Sequence, residues 1–235
     1  MTRDLEWLPD GPPAQLLLIF HGVGDSARGM APLAALLRHQ FPQSAVVAAD
    51  GFFPFDAAPV DGRQWFSLAG VTDDNRAARV AEVVPRLAEW IRAQQARLGC
   101  SPAQTCLVGF SQGSIMALET IAANDGLAGR VLAFAGRYAA LPEVAPRLTT
   151  LHLLHGAEDD RIAADHARAA FDHLAEREGD VTLDIAEGVG HELHPALLEC
   201  AMQRLTGHIP QRTWREAMGS VPARPTDDEP GHGPH

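Results

Sequence analysis

Cysteine is scarce in this chain. The 235 residues contain only three, Cys100, Cys106 and Cys200. The count is odd and no Cys-x-x-C pair occurs, which argues against a disulfide framework and against a cysteine-ligated zinc site. An odd number of isolated cysteines is typical of a protein with buried or free thiols in a reducing compartment.

Long apolar runs are also missing. No stretch approaches the ~18 consecutive apolar residues that a membrane-spanning helix needs, and residues 1–13 hold no apolar core of signal-peptide length. We therefore expect a cytoplasmic protein without stable membrane insertion.

Basic residues are in the minority. The 19 basic residues, all of them arginine, are outnumbered by 30 Asp and Glu, which gives a net charge of −11. This excess of negative charge argues against binding to nucleic acid or to an anionic membrane surface. An apolar fraction of 46% with 21% charged residues is ordinary for a soluble globular protein, and the length fits one large domain better than two small ones.

Short apolar segments alternate with longer amphipathic ones along the chain. Strands are predicted at 14–20, 45–49, 105–108, 130–134, 151–155 and 181–186, and helices at 30–40, 75–98, 163–176 and 195–206, with a further helix after residue 113. Pro85 predicts a kink or a late start in the second helix. Strands alternating with helices predict an α/β fold with a mostly parallel sheet covered on both faces. In such sheets the functional residues collect in loops at the carboxyl ends of the strands.

We expect residues 1–219 to form a single domain and residues 220–235, rich in Pro, Gly and acidic side chains, to be a disordered tail. The long connection 51–70 is rich in aromatic residues. We interpret it as the wall of an acyl pocket, with a cover packed on the core as the alternative. Aromatic loops can also serve a homodimer contact, and the sequence does not separate these uses.

The most informative segment is 109–113, which reads Gly-Phe-Ser-Gln-Gly. A predicted strand precedes it and a helix-like run follows it. This is the context of a nucleophile elbow, a sharp strand-to-helix turn that exposes a serine. Glycines flank such a turn because side chains there would collide. The segment therefore indicates Ser111 as a nucleophile.

A serine hydroxyl needs a base, usually a histidine held by a carboxylate, and in this architecture the chain order is Ser, acid, His. Among the histidines, only His191 and His194 lie downstream on a loop after the last strand, and His191 is favoured because it follows that strand directly with glycines beside it. The acid is expected after the strand 151–155, in the run Glu158-Asp159-Asp160. Spacing alone does not choose between Asp159 and Asp160.

Acyl transfer also needs hydrogen-bond donors for the developing oxyanion. One donor is expected at the backbone N–H of Gln112, which starts the helix after the serine. The second is expected at the backbone N–H of Val23, in the Gly-rich loop 21–25 after the first long strand. Phosphate binding by that loop is disfavoured, since no Gly-Lys-Ser/Thr and no G-x-G-x-x-G pattern is present.

These motifs together resemble the phospholipase/carboxylesterase family of α/β-hydrolases, which includes the acyl-protein thioesterases and related bacterial esterases. The matching segments are 18–25, 63–66, 109–114, 155–159 and 190–192, and the resemblance spans roughly residues 14–207. It implies the α/β-hydrolase fold and a serine carboxylesterase or thioesterase that acts on a small-molecule or acylated ester. It further implies a Ser111, Asp159 and His191 triad, oxyanion donors at Val23 and Gln112, no metal and no other cofactor.

The family pattern His-Gly-x-x-Asp selects Asp159 over Asp160. The resemblance also implies a substrate-binding role for Trp65 and Phe66. One departure is the pair that follows the acid, Asp160-Arg161, where family members usually carry proline and small apolar residues; it adds charge beside the site. Two alternatives stay open: a peptidase or amidase on the same fold, and a non-catalytic interaction protein that keeps the fold.

Overall fold

The computed structural model describes residues 4–57 and 61–219. A central sheet of seven strands has the order β1-β3-β2-β6-β7-β8-β9, and all its neighbours are parallel except the pair β1 and β3. A two-stranded hairpin of β4 and β5 lies apart from it. The strands are β1 (Leu5–Trp7), β2 (Gln15–Phe20), β3 (Ser44–Ala49), β4 (Phe53–Pro54), β5 (Arg63–Gln64), β6 (Thr105–Phe110), β7 (Arg130–Phe134), β8 (Thr150–Gly156) and β9 (Val181–Ala186).

Helices cover both faces of the sheet, which explains why the central strands are apolar on both sides. The helices are α1 (Ala31–Gln40), α2 (Asp73–Leu98), α3 (Gln112–Ala123), α4 (Asp165–Glu176), α5 (Pro195–Gly207) and α6 (Gln211–Gly219). Buried side chains of α2, α3 and α4 pack on one face, and those of α1 and α5 pack on the other. None of the helices in the described part of the chain is long and apolar enough to cross a membrane.

The α/β fold with a mostly parallel sheet, as predicted, is confirmed. The late start at Pro85 is wrong, because α2 runs through the proline as one helix from Asp73 to Leu98; the kink stays a prediction. A capping box between Thr72 and Asn75 sets its start, and buried Val83, Val84 and Leu87 anchor the turns around the proline. The edge strand β1 and the helix α6 were not predicted: β1 has three residues, and α6 has nine residues and no buried side chain. The tail 220–235 lies outside the described residues.

A polar cluster fastens the end of α5 and the start of α6 to the amino edge of the sheet. Asp180, which precedes β9, accepts hydrogen bonds from the Thr150 hydroxyl (2.6 Å) and the Gln211 backbone N–H (3.0 Å). His208 Nε2 lies 3.0 Å from the other carboxylate oxygen. Next to it, burial and the charges of His208 and Arg130 lower the pKa of His152 to about 3.

Candidate active site

Ser111 stands at the sharp turn between β6 and α3. Its φ of 54° lies in a region that non-glycine residues rarely adopt, so the turn stores backbone strain. A side chain at Gly109 would come within 2.5 Å of the Ser114 backbone, and one at Gly113 within 2.1 Å of the Phe20 carbonyl. The two glycines are therefore needed because α3 packs directly against the sheet here.

Hydrogen bonds to the neighbouring strand hold this strained turn in place. The Ser111 backbone N–H donates to the Phe134 carbonyl at 2.9 Å. The buried Ser114 hydroxyl lies within 2.7 Å of the same carbonyl and within 2.6 Å of the Gly109 carbonyl. These hydrogen bonds hold Ser111 in its strained conformation, which serine would not prefer by itself.

His191 lies on the loop between β9 and α5 and connects the serine to a carboxylate. Its Nε2 is 2.9 Å from the Ser111 hydroxyl oxygen, and its Nδ1 is 2.7 Å from Oδ2 of Asp159. A carboxylate only accepts, so Nδ1 carries the proton and Nε2 is left to accept from the serine. The ring packs against Phe110 at 5.1 Å between centroids. The tautomer with its proton on Nδ1 is the one that a general base for the serine requires.

The Asp159 side chain is fully buried. Its Oδ1 accepts hydrogen bonds from two backbone N–H groups of its own loop, those of Arg161 (2.9 Å) and Ile162 (2.8 Å). Burial alone would raise the pKa of this carboxyl, but the hydrogen bonds, led by that of Ile162 and followed by that of His191, outweigh it and hold the pKa below its usual value. Asp159 therefore stays charged while it faces the imidazole.

His155 is a further neighbour of the carboxylate. Its Nε2 donates to the Ile162 carbonyl at 2.7 Å and lies 3.1 Å from Oδ2 of Asp159. Because both neighbours are acceptors, the proton is on Nε2, and burial lowers the pKa of the ring so that it stays neutral. In the sequence His155 was assigned only as the first residue of the pattern His-Gly-x-x-Asp, so this contact was not predicted.

Asp160 and His194, the two alternative candidates from the sequence, do not belong to this chain of contacts. The Asp160 side chain is 85% exposed and faces Arg161, so the structure places Asp159 and not Asp160 against His191. His194 caps the start of α5, where its ring accepts a hydrogen bond from the Ala196 backbone.

Val23 and Gln112 both line the cleft onto which Ser111 opens. The N–H of Gln112 is in the first turn of α3, where no helical carbonyl is available to it. The loop of Val23 is fixed by buried His21, whose Nε2 accepts from the Gly51 N–H (2.8 Å) and whose Nδ1 donates to the Gly22 carbonyl (2.6 Å). Burial lowers the pKa of His21, which keeps this two-sided contact in the neutral form.

The side chain of Gln112 joins the elbow to the aromatic segment 51–70, a role that the motif alone did not reveal. Its Oε1 accepts from the Trp65 backbone N–H and its Nε2 donates to the Phe66 carbonyl, both at 2.8 Å. The Trp65 indole in turn donates to the His21 carbonyl at 2.9 Å. Gln112 is buried, so these contacts are shielded from water.

Trp65 and Phe66 have different positions. Trp65 is fully buried, packs edge-on against Phe20 and Phe52, and does not line the cleft. Its position therefore differs from the expected substrate contact, because the indole fills the core beneath the loop 21–25. Phe66 does line the cleft. The segment 51–70 is thus partly a core cover and partly a pocket wall.

The cleft over Ser111 has a volume of about 400 Å³. Its apolar part is formed by six residues: Val23, Phe66, Leu68, Phe110, Ile115 and Ile162. Charged and polar side chains complete the lining. Within the described residues, no group of three or more His, Cys, Asp or Glu side chains is arranged to hold a metal ion.

Comparisons with known proteins identify the family of this chain. A family model described as phospholipase/carboxylesterase matches residues 7–209. Esterase YpfH of Escherichia coli strain K12 is 45% identical over 221 residues, with 94% of each chain covered. Acyl-protein thioesterase 1 of Eremothecium gossypii is 28% identical over 216 residues, with 84% of this chain and 89% of that one covered.

Among solved structures, the crystal structure of esterase PE8 superposes with a TM-score of 0.79 at 28% identity, covering 87% of this chain and 97% of that one. A carboxylesterase from Mesorhizobium loti, 20% identical, shares the fold with a TM-score of 0.70, covering 83% and 90% of the two chains. The resemblance predicted from the motifs is confirmed: the chain belongs to the phospholipase/carboxylesterase family.

Proposed function

We propose that this protein is a serine carboxylesterase and thioesterase in which Ser111 is the nucleophile, His191 the general base and Asp159 the carboxylate that orients it. The observation that carries the proposal is the continuous chain of contacts from the Ser111 hydroxyl through His191 to buried Asp159, at 2.9 and 2.7 Å. The serine end of this chain opens onto the cleft.

In the acylation step, the Ser111 oxygen attacks the carbonyl carbon of the ester while its proton moves to Nε2 of His191. Asp159 stabilises the imidazolium that forms and does not itself take up the proton. The tetrahedral intermediate collapses as the carbon–oxygen or carbon–sulfur bond breaks. His191 then donates its proton to the leaving alcohol or thiol, and Ser111 remains acylated.

Deacylation repeats these steps with water. His191 removes a proton from a water molecule, the resulting nucleophile attacks the acyl carbon, and the carboxylic acid leaves as Ser111 recovers its proton. We assign the backbone N–H groups of Val23 and Gln112 to the oxyanion in both steps. Each such donor is worth about 3 kcal/mol of transition-state stabilisation.

We assign substrate contact to Phe66, which lines the cleft, and an indirect role to Trp65. Trp65 supports the loop that carries Val23, because its indole donates to the His21 carbonyl. A substitution at Trp65 should therefore act through the position of the oxyanion loop, whereas one at Phe66 should change the preferred acyl length.

The direct test is covalent labelling with a fluorophosphonate probe. The wild-type protein should label and Ser111→Ala should not. Ser101→Ala serves as the matched control, since Ser101 is exposed and lies before β6, at its end far from the elbow. Equal labelling of the wild type and Ser111→Ala contradicts the assignment.

A substrate panel separates the reaction classes. Matched p-nitrophenyl esters, N-acetylcysteamine thioesters and p-nitroanilides of one acyl group should be turned over as esters and thioesters, with the anilides far slower. Preferential cleavage of the anilides would indicate a peptidase or amidase. No turnover of any substrate, with Ser111 unlabelled, would indicate a non-catalytic protein.

We further propose that the protein acts in the cytoplasm. The support is that Cys100, Cys106 and Cys200 are all unbridged and the first two are buried, which suits a reducing compartment. Cell fractionation with a tagged chain tests the location. The homodimer contact stays a prediction, which light scattering on the purified protein tests.

A further inference from the structure

Three arginines, Arg76, Arg137 and Arg161, line the cleft that contains Ser111. The chain as a whole carries a net charge of −11, so this concentration of positive charge is opposite in sign to the rest of the molecule. The proposed ester hydrolysis by itself does not need it, since neutral esters require only the serine, its base and the oxyanion donors.

Two of these arginines come from adjacent strand ends. Arg161 follows the acid on the loop after β8, and its backbone N–H donates to Asp159 at 2.9 Å. Arg137 follows β7, and its Nη1 donates to Nε2 of His166 at 2.9 Å. Arg76 lies in the first turn of α2 and also lines the cleft. The three arginines thus reach the cleft from separate elements of the fold.

Among the described residues that line the cleft, acidic side chains are fewer than arginines. Among the described residues that line it, Asp25 is the acidic one, and its carboxylate lies against the backbone of Gly29. Asp160 is 3.9 Å from Arg161, but the two side chains are 85% and 76% exposed. Exposed pairs of this kind interact weakly, so the Arg161 guanidinium keeps most of its attraction for a bound anion.

Guanidinium groups bind carboxylates and phosphates through paired, charge-assisted hydrogen bonds. We infer that the cleft selects esters and thioesters that carry a carboxylate or phosphate group, with Arg137 and Arg161 as the anion-binding side chains beside the triad. The inference rests on the proposed function and specifies its substrate class. The apolar side chains of the cleft then contact the carbon chain between the anion and the scissile bond.

The anion can belong to the acyl group or to the leaving group, and two pairs of substrates distinguish these sources. On the acyl side, p-nitrophenyl hydrogen adipate is compared with p-nitrophenyl hexanoate, which has the same chain length without the carboxylate. On the leaving-group side, butyryl-coenzyme A is compared with butyryl-N-acetylcysteamine. For each pair, the quantity measured is the ratio of kcat/KM for the anionic substrate to kcat/KM for the neutral one.

For the wild-type protein, this ratio should be about ten in at least one pair at low salt. It should decrease towards one as ionic strength rises, because salt screens charges at an open site. Arg161→Gln and Arg137→Gln should each lower the ratio about three- to tenfold, and Arg161→Glu should bring it below one. Arg168→Gln on α4 is the matched control: its side chain is half exposed outside the cleft lining, and the ratio should not change.

Using a ratio removes the effect of partial misfolding, since both substrates report on the same folded fraction. A wild-type ratio of one or less in both pairs overturns the inference. So does a ratio that Arg137→Gln and Arg161→Gln leave unchanged. These results are distinct from failure of the proposed function, in which neutral esters are not turned over and Ser111 is not labelled.

Discussion

Two buried aspartates each contact a histidine in this molecule, at opposite edges of the same sheet. Asp159 follows β8 at the carboxyl edge and lies 2.7 Å from His191. Asp180 precedes β9 at the amino edge and lies 3.0 Å from His208. Both carboxylates also accept hydrogen bonds from backbone N–H groups, so the two pairs look alike when only the aspartate and the histidine are compared.

The two pairs differ in what lies on the other side of each histidine and in their access to solvent. The far nitrogen of His191 faces the Ser111 hydroxyl on an open cleft. The His208 ring instead packs edge-on against buried His152 at 5.1 Å, and the nearby Thr150 hydroxyl donates directly to Asp180. An Asp–His pair therefore becomes a candidate for catalysis only when the imidazole has a nucleophile on its other side. At the amino edge the same two residue types hold helices in place.

The largest difference between the pairs should come from exchanging each aspartate for asparagine. Asp159→Asn should lower kcat by about 10⁴, since the amide favours the wrong tautomer of His191. Asp180→Asn should leave the activity of the folded protein within a few-fold and lower the free energy of unfolding by about 2 kcal/mol. Ester hydrolysis and urea denaturation of both variants measure the two effects. Loss of activity in both variants without loss of stability contradicts the comparison.

Acidification should lower the free energy of unfolding through His152, near the amino edge of the sheet. The pKa of His152 is about 3 in the folded protein, because burial and then His208 and Arg130 disfavour its charged form, and 6.5 is its ordinary value. Between these values the unfolded chain binds a proton that the folded chain does not, so the free energy of unfolding falls as pH drops from about 6.5. Each pH unit in this window costs up to about 1.4 kcal/mol.

Denaturation curves between pH 7 and pH 4.5 test this slope. His152→Phe should reduce it, because the titrating group is removed while an aromatic ring is kept. His39→Gln, at an exposed position of α1, is the control. An identical slope in His152→Phe and the wild type would show that other groups set the acid sensitivity.

A smaller effect is expected at the second histidine beside Asp159. His155→Leu removes a donor that faces the carboxylate, which should raise the pKa of Asp159, lower kcat about tenfold and move the acid limb of the kcat/KM profile to higher pH. His155→Gln, which keeps an N–H donor, should restore part of the loss. The pH profile is the decisive measurement, since a role in packing alone would reduce activity without moving it.

The smallest effect is expected at Asp160, whose side chain is exposed beside Arg161. With a neutral ester, Asp160→Asn should change kcat/KM less than about twofold, since exposed ion pairs contribute little. Comparison with Asp159→Asn under the same conditions tests the choice of acid. Equal losses in the two variants would contradict it.

Much of the fold was predictable because strand and helix periodicity is strong in the buried elements. The elbow was predictable from its glycines, which the packing of α3 requires at 109 and 113. The choice between Asp159 and Asp160 was not available from spacing, because both lie on one short loop. Their difference arises from the backbone N–H groups of residues 161 and 162, which turn towards Asp159 only in the folded loop.

The positions of Trp65 and Gln112 could not be predicted for a related reason. An aromatic residue in a long loop has the same sequence pattern whether it fills the core or faces a ligand. Trp65 is buried, and its indole N–H is satisfied by the His21 carbonyl, a contact between residues 44 positions apart. Such long-range pairings depend on the complete fold and leave no local signal.

The Gln112 side chain has a consequence for how this motif is written. The pattern G-x-S-x-G treats the position after the serine as free, since only its backbone N–H is assigned a task. Here the side chain at that position fastens the segment of Trp65 and Phe66 to the elbow. A relative with a different residue at this position needs another attachment for the segment. The identity of that residue can therefore distinguish family members that share this loop arrangement from those that do not.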